Sequence, residues 1–182
     1  KKESMEEIFP LAAKYGGVVI ALTLDESGIP ETAEGRIKIA KRIIETAKEY
    51  GIDKKDLIFD PLAMTISSDS KSALTTLECL KELQKMDVKT SLGVSNVSFG
   101  LPKRSIINST FFALALESGL SAAIMNPFSS EMMDVYYGFC ALHNLDERCE
   151  NYISYASSQV EEETVKITEE NPEKALIHAI LK

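Results

Sequence analysis

The chain has 182 residues, 45% of them hydrophobic and 26% charged, which is the balance of a globular domain and excludes disordered and fibrous classes. Its formal charge is −8 and its pI about 4.9; this argues against a nucleic acid partner, since a phosphate backbone selects a basic face. The length suffices for one ordinary domain and falls short of a complete (β/α)8 barrel, which takes roughly 250 residues.

Cys79, Cys140 and Cys149 form no CxxC pair, and His143 and His178 complete no zinc spacing, so no metal site is expected. Reduced thiols in a cytoplasmic protein are the expectation. No apolar run approaches the roughly 20 residues of a membrane span, so no membrane association is expected. The first seven residues, Lys-Lys-Glu-Ser-Met-Glu-Glu, are too charged for a signal-peptide core.

Residues 4–15 place Met5, Ile8, Phe9, Ala12 and Ala13 at helical spacing, and Gly16 and Gly17 stop the helix. Residues 18–24 form a short apolar, β-branched run, expected as a strand buried on both faces. Residues 25–30 are a loop by their turn residues. Residues 33–50 predict an amphipathic helix with Ile37, Ala40, Ile44 and Ala47 on its inner stripe and Arg36 mostly outside it; Gly51 ends it. A second strand over 56–60 closes at Pro61. Asp69 or Ser70 can cap a helix over 71–86, with Leu74, Leu77 and Leu80 facing inward. A third strand spans 89–94, a helix 103–118 and a fourth strand 121–125. Helices follow over 131–142 and 146–155. Strands alternating with helices in repeats of about 30 to 40 residues imply an α/β fold with a parallel sheet and right-handed crossovers. Residues 157–171 are polar and acidic, which suits a linker. Residues 172–182 predict a last helix, with Pro172 near its start.

Each strand exits into polar residues, and in parallel α/β sheets ligands bind at the carboxyl ends of strands. The exits carry Asp25 and Glu26, then Asp60, Thr65 and Ser67, then Ser95, Asn96, Ser98 and Arg104, then Asn126. Ordinary loop chemistry accounts for Asp25, Glu26 and Asn126. Asp60 and Asn96 each directly end an apolar strand and are expected to point into the mouth of the sheet. A carboxylate accepts paired N–H donors and an amide donates and accepts at once, which suits a planar polar heterocycle. Arg104 either forks onto a ligand carboxylate or stands in solvent on the first helical turn. No serine has a histidine nearby, which weakens a hydrolase reading. Neither a GxGxxG loop nor a Walker sequence occurs.

The segment Gly93-Val94-Ser95-Asn96-Val97-Ser98-Phe99-Gly100-Leu101-Pro102-Lys103-Arg104, with Asn108-Ser109, then Ala113-Leu114-Ala115-Leu116-Glu117-Ser118-Gly119-Leu120 and Ala123-Ile124-Met125-Asn126-Pro127, closely resembles the methyltetrahydrofolate-binding domains of cobalamin-dependent methionine synthases. It is similar also to the methyltetrahydrofolate:corrinoid/iron–sulfur protein methyltransferases. Ile20-Ala21-Leu22-Thr23-Leu24-Asp25-Glu26 with Gly28-Ile29-Pro30, and Ile58-Phe59-Asp60-Pro61-Leu62, fit the same family in the same order, and the match runs from about Ile8 to Tyr155.

The resemblance implies a dihydropteroate-synthase-like (β/α)8 TIM barrel, of which residues 1–156 make the C-terminal half, about four βα units. It implies that Asp60 binds the pterin ring through its N–H groups and that Asn96 is catalytic and reaches N5, the atom bearing the methyl group. Arg104 and, as a lesser candidate, Asn126 would join the substrate-binding set. The substrate would be 5-methyltetrahydrofolate. The methyl acceptor would be a cobalt(I) corrinoid (cobalamin) on a corrinoid-binding domain or protein. Phe99 stands where the iron–sulfur branch tends to carry glutamine and so favours the methionine synthase branch. The family also draws a pterin-binding aspartate and asparagine from earlier strands that have no counterpart here. The chain is therefore expected to be an incomplete fragment that pairs with the missing N-terminal half barrel or with a second copy of itself. Residues 172–182 resemble the opening helix of a corrinoid-binding module, or else close the barrel floor. Two alternatives remain: a dihydropteroate synthase-like enzyme, which Leu62-Ala63-Met64-Thr65 and Ser95-Asn96-Val97 count against, and a noncatalytic assembly fragment.

Overall fold

The structure, a computed structural model, describes residues 1–169. Its helices are α1 (Lys2–Tyr15), α2 (Ala33–Glu49), α3 (Ser72–Lys85), α4 (Arg104–Glu117), α5 (Ser130–Leu142) and α6 (Glu150–Glu169), and its strands are β1 (Val19–Leu22), β2 (Leu57–Asp60), β3 (Lys89–Gly93) and β4 (Ala122–Ile124). Short 3-10 turns occupy Lys54–Asp56, Val94–Ser98 and Glu147–Cys149. The chain divides into two compact units, Lys1–Met133 and a second that begins at Asp134. The break falls inside α5. The acidic stretch expected as a linker over 157–171 is helical as far as Glu169, where α6 ends. The helix expected over 172–182 lies outside the described residues.

In the first unit all four strands pair in parallel, in the order β1-β2-β3-β4. Sequential order in a parallel sheet, with a helix between each pair of strands, is the pattern of successive βα units in a barrel. The register aligns Ala21 with Phe59, Phe59 with Thr90, and Leu92 with Ala123. These residues face the helices, and Phe59, Thr90 and Leu92 are fully buried there. One core cluster joins Phe59 with Phe9, Ile39, Ala40, Ile43, Ala47, Leu57, Cys79 and Leu83, and Leu80 is fully buried as well. Each large apolar side chain in that layer contributes about 1.5–3 kcal/mol by leaving water.

The opposite face is uncovered at its edge strands, while Ser91 is buried and Ile58 and Asp60 are half-buried on it. Ile20 is 58% exposed, Leu22 42% and Ile124 61%. The expectation of a first strand buried on both faces therefore fails on one of them, because no second layer within this unit covers it. That bare face is what half of a closed barrel presents: the residues that would fill the barrel interior meet solvent instead.

Two helix faces differ from expectation. On α2 the buried stripe is Ala33, Arg36, Ile39, Ala40, Ile43 and Ala47, with Ile37 and Ile44 only half-buried, so Arg36 lies inside. On α3, Leu74 is exposed, and Ser72, Thr76, Leu77, Cys79, Leu80 and Leu83 are buried. Asp69 does not cap α3; its Oδ1 accepts from the Lys71 N–H at 2.9 Å, in the turn before the helix. In the second unit, Asp146 accepts from the backbone N–H groups of Asn151 and Tyr152, fixing the start of α6, and the rings of Tyr137 and Tyr155 stack at 4.3 Å.

Glu26, after β1, ties α1 to the sheet. Its Oε1 accepts from the Lys2 N–H at 2.6 Å and its Oε2 from both terminal nitrogens of Arg42 at 3.3 Å. The Lys2 N–H and Arg42 hold its carboxyl down at about 2, against an ordinary 4.5. A lowered folded-state pKa contributes stability that is complete above the ordinary value and lost as pH falls through the lowered one. Thermal melts from pH 5 to pH 2 are therefore expected to show a smaller acid-side loss for Glu26→Gln than for the native chain, and parallel curves would remove Glu26 from the linkage.

Candidate functional site

Because the strands run parallel, β2 and β3 leave the sheet at the same end, and each exit carries a polar residue at its tip. Asp60 is the last residue of β2 and is half-buried. In register it lies beside Leu22, and with Ile58 it belongs to the bare face. Its Oδ1 accepts from the Leu62 N–H at 2.8 Å, and its carbonyl accepts from the Thr23 N–H at 3.1 Å. Burial pushes the Asp60 carboxyl above its ordinary value, and the Leu62 N–H partly offsets this.

Asn96 lies in the 3-10 turn Val94–Ser98, directly after β3, and is exposed. Gly93, the last residue of β3, shares its face with Lys89, which pairs with Ile58. A Cβ at Gly93 would project onto that face and meet the Asn96 Nδ2 at 3.0 Å and its Cγ at 3.7 Å. The amide of Asn96 is thus folded over the end of β3, on the face of the sheet that also carries the Asp60 side chain. A carboxylate that accepts and an amide that accepts or donates share one rim.

Arg104, the first residue of α4, braces the turn that holds Asn96. Its Nε donates to the Ser98 Oγ at 2.9 Å and its Nη2 to the Ser95 carbonyl at 2.7 Å. Arg104 is exposed on the first turn of α4, as one of the two expectations for it has it, and two of its nitrogens also serve the turn. Asn126 caps the exit of β4, with its Oδ1 accepting from the Phe128 N–H at 3.0 Å, which is the loop chemistry read from sequence. Asp25 is likewise a turn residue, its Oδ1 accepting from the Ser27 N–H at 2.8 Å.

The exits of β2 and β3 are stitched together. The Ile66 N–H donates to the Val97 carbonyl at 3.0 Å, and the hydroxyls of Thr65 and Ser67 donate to the Phe99 carbonyl at 2.7 and 2.9 Å. Gly100 permits this approach: its φ is 81° and a Cβ there would lie 3.4 Å from the Ser67 Oγ. The Phe99 ring is 68% exposed at the rim. An apolar cleft of about 330 Å³ between α1 and β1, lined by Met5, Ile8, Phe9, Ile20, Leu22 and Ile43 among others, includes neither Asp60 nor Asn96. Among the described residues no cluster of three or more His, Cys, Asp or Glu is arranged to hold a metal ion.

Reading the sequence missed Arg36. It is 2% exposed, with its Nε donating to the Pro30 carbonyl at 3.0 Å and its Nη1 to the carbonyls of Pro61 at 2.6 Å and Leu62 at 3.0 Å. A signal was present: Ala33, Arg36, Ala40, Ile43 and Ala47 recur at three- and four-residue spacing along one helix face.

A family model described as pterin binding enzyme matches residues 1–126. A methylcorrinoid:tetrahydrofolate methyltransferase of Eubacterium limosum is 33% identical over 137 residues, 74% of this chain and 50% of that protein. Methionine synthases of Mycobacterium tuberculosis and Mycobacterium leprae are 38% and 37% identical over 125 residues, 64% of this chain and 10% of each of those proteins. The chain thus spans half the length of the first relative and a tenth of the other two.

Gly93→Ala is expected to displace the Asn96 amide, because the added methyl meets Nδ2 at 3.0 Å, at a cost to stability of about 1 kcal/mol. The side-chain amide resonances of Asn96 are the measurement; if they stay at their native positions, that amide does not lie over the strand end.

Proposed function

This chain belongs to the pterin-binding enzyme family, and we propose that it forms the half of a methyltetrahydrofolate:corrinoid methyltransferase that grips the pterin and assists departure of the N5 methyl group. The observation that carries this reading is the shared face of Asp60 and Asn96 at the strand exits, joined by the names of the Eubacterium and mycobacterial relatives.

The Asp60 carboxylate accepts N–H donors of the pterin ring. One of its oxygens is already held by the Leu62 N–H, which fixes the carboxylate plane and leaves Oδ2 outside that turn. The N5–methyl bond breaks with its electron pair left on nitrogen, so N5 must first take a proton from solvent to become a good leaving group. The Asn96 amide accepts a hydrogen bond from N5–H, and that bond strengthens as N5 becomes charged, which lowers the barrier more than it tightens binding. Arg104 acts through the turn: it holds Ser95 and Ser98, between which Asn96 stands. Asn126 shapes the neighbouring exit through its Phe128 N–H bond. A cobalt(I) corrinoid on a separate domain or protein supplies the nucleophile that takes the methyl group. The exposed Phe99 ring and the half-exposed Met64 offer apolar surface at the rim over which such a partner docks.

The bare face with Ile20, Leu22 and Ile124, and the open edges of β1 and β4, favour completion of the barrel by its other half, with a second copy of this chain as the competing occupant. A cytoplasmic setting suits folate chemistry, and no described helix is long and apolar enough to cross a membrane.

In the completed enzyme, Asn96→Ala is expected to slow methyl transfer about 100-fold while weakening methyltetrahydrofolate binding only a few-fold. Asp60→Asn is expected to weaken binding by about 1–3 kcal/mol. Equal losses of binding and transfer in Asn96→Ala would take that residue out of the chemical step. Binding should also weaken on acidification at a higher pH than an ordinary aspartate dictates, since the ionised form is required and burial raises the Asp60 carboxyl. For the chain alone, light scattering is expected to report association and a folate titration little binding; a monomer with a cooperative melt and native-strength binding would overturn the half-barrel reading.

A further inference from the structure

A buried guanidinium is costly, with an effective penalty of several kcal/mol even after relaxation. Arg36 carries that cost without a carboxylate among its hydrogen-bond partners. Its partners are three backbone carbonyls and the Thr76 hydroxyl, which lies 3.3 Å from Nη1. Burial lowers its pKa, and Cys79 on α3 and Asp69 before it are the charged or titratable groups whose fields oppose that shift. An apolar side chain on this stripe of α2 would pack against the sheet at no such cost, so the guanidinium's benefit has to lie in what it holds.

It holds the turn behind Asp60. Leu62 sits at φ 66°, a left-handed conformation that costs a non-glycine residue about 1–2 kcal/mol. In that conformation its N–H reaches back to the Asp60 Oδ1 at 2.8 Å. The peptide groups around Leu62 are pinned on the other side by Arg36, which takes the Pro61 and Leu62 carbonyls, and by the Thr76 hydroxyl, whose single proton is shared between the Leu62 carbonyl at 3.2 Å and the Ser72 carbonyl at 3.0 Å. The same guanidinium reaches the Pro30 carbonyl in the loop after β1. One side chain therefore fixes the exits of two adjacent strands to α2 and α3.

We propose that Arg36 is the positioning residue for the Asp60 carboxylate: by clamping the Pro61 and Leu62 carbonyls it keeps the strained turn in which the Leu62 N–H orients Asp60 toward the pterin. The proposal deepens the folate reading and rests on it for the identity of the ligand. The hold of Arg36 on Asp60 stands apart from that identity.

The Leu62 amide proton reads that hold directly in the chain. Arg36→Met is expected to speed its exchange about tenfold relative to the amides of Phe59 and Leu92, and to abolish the dependence of its chemical shift on Asp60 ionisation. Leu80→Ala, which removes a buried side chain of the core, supplies the structural control: it lowers the melting temperature and leaves the Leu62 amide at its native behaviour. Should Arg36→Met not fold, Arg36→Gln, too short to span both loops, is expected to show the same loss. Native exchange and native shift dependence in a folded Arg36 variant overturn the proposal. In the completed enzyme, Arg36→Met is expected to weaken methyltetrahydrofolate binding about tenfold, and adding Asp60→Asn to it to cost no more than Asp60→Asn alone. If Asp60→Asn itself leaves binding unchanged, the folate role of Asp60 falls, while the Leu62 amide still decides whether Arg36 positions the carboxylate.

Discussion

Parallel pairing is the constraint from which the rest of this chain follows. Four strands paired side by side in chain order must all leave the sheet at one end, with a helix returning along the back of the sheet each time. The polar residues at the tips are then brought to one rim whatever their separation in sequence. Asp60 and Asn96 are 36 positions apart, and the register alone puts the first on the face over which the second folds. A one-residue slip between β2 and β3 would send the two side chains to opposite faces. The ladder of hydrogen bonds thus secures the site as well as the fold.

The rim is rigidified by bonds that reach backbone atoms rather than by ion pairs. Arg104 bonds to the Ser95 carbonyl, Thr65 and Ser67 to the Phe99 carbonyl, and Arg36 to the carbonyls of Pro30, Pro61 and Leu62. Bonds of this kind fix main-chain direction, which in turn fixes where a neighbouring side chain starts. Exposed ion pairs such as Lys54 with Asp87 contribute little by comparison, since solvent and salt screen them.

Much of this could be read from the amino acids. Short apolar runs alternating with amphipathic segments point to all four strands, and Asp60 and Asn96 stand out because each closely follows an apolar run; Asp60 ends its strand, while Asn96 lies in the 3-10 turn after β3. The errors have several causes. The stripe chosen for α2 followed Ile37 and Ile44, and that for α3 followed Leu74, because hydropathy identifies apolar side chains and not which of two apolar stripes faces the sheet. Arg36 falls mostly outside the stripe that runs through Ile37 and Ile44, although its spacing from Ala33 and Ala40 places it inside; local pattern carries no record of carbonyls that arrive from a loop 25 residues away. Arg104 was weighed as ligand fork or solvent residue, and its bonds to Ser95 and Ser98 depend on a 3-10 turn that residue type alone does not announce. The helix α6 continues to Glu169 through a polar stretch whose weak periodicity gave no sign of it.

The uncovered side of the sheet has a colloidal consequence. With Ile20, Leu22 and Ile124 facing water, the association of isolated copies is opposed by their mutual repulsion at a net charge of −8. That repulsion vanishes near the isoelectric point of about 4.9, and added salt shortens its range to about 3 Å at 1 M. Mild acid or high ionic strength therefore turns that hydrophobic surface into a route to precipitation.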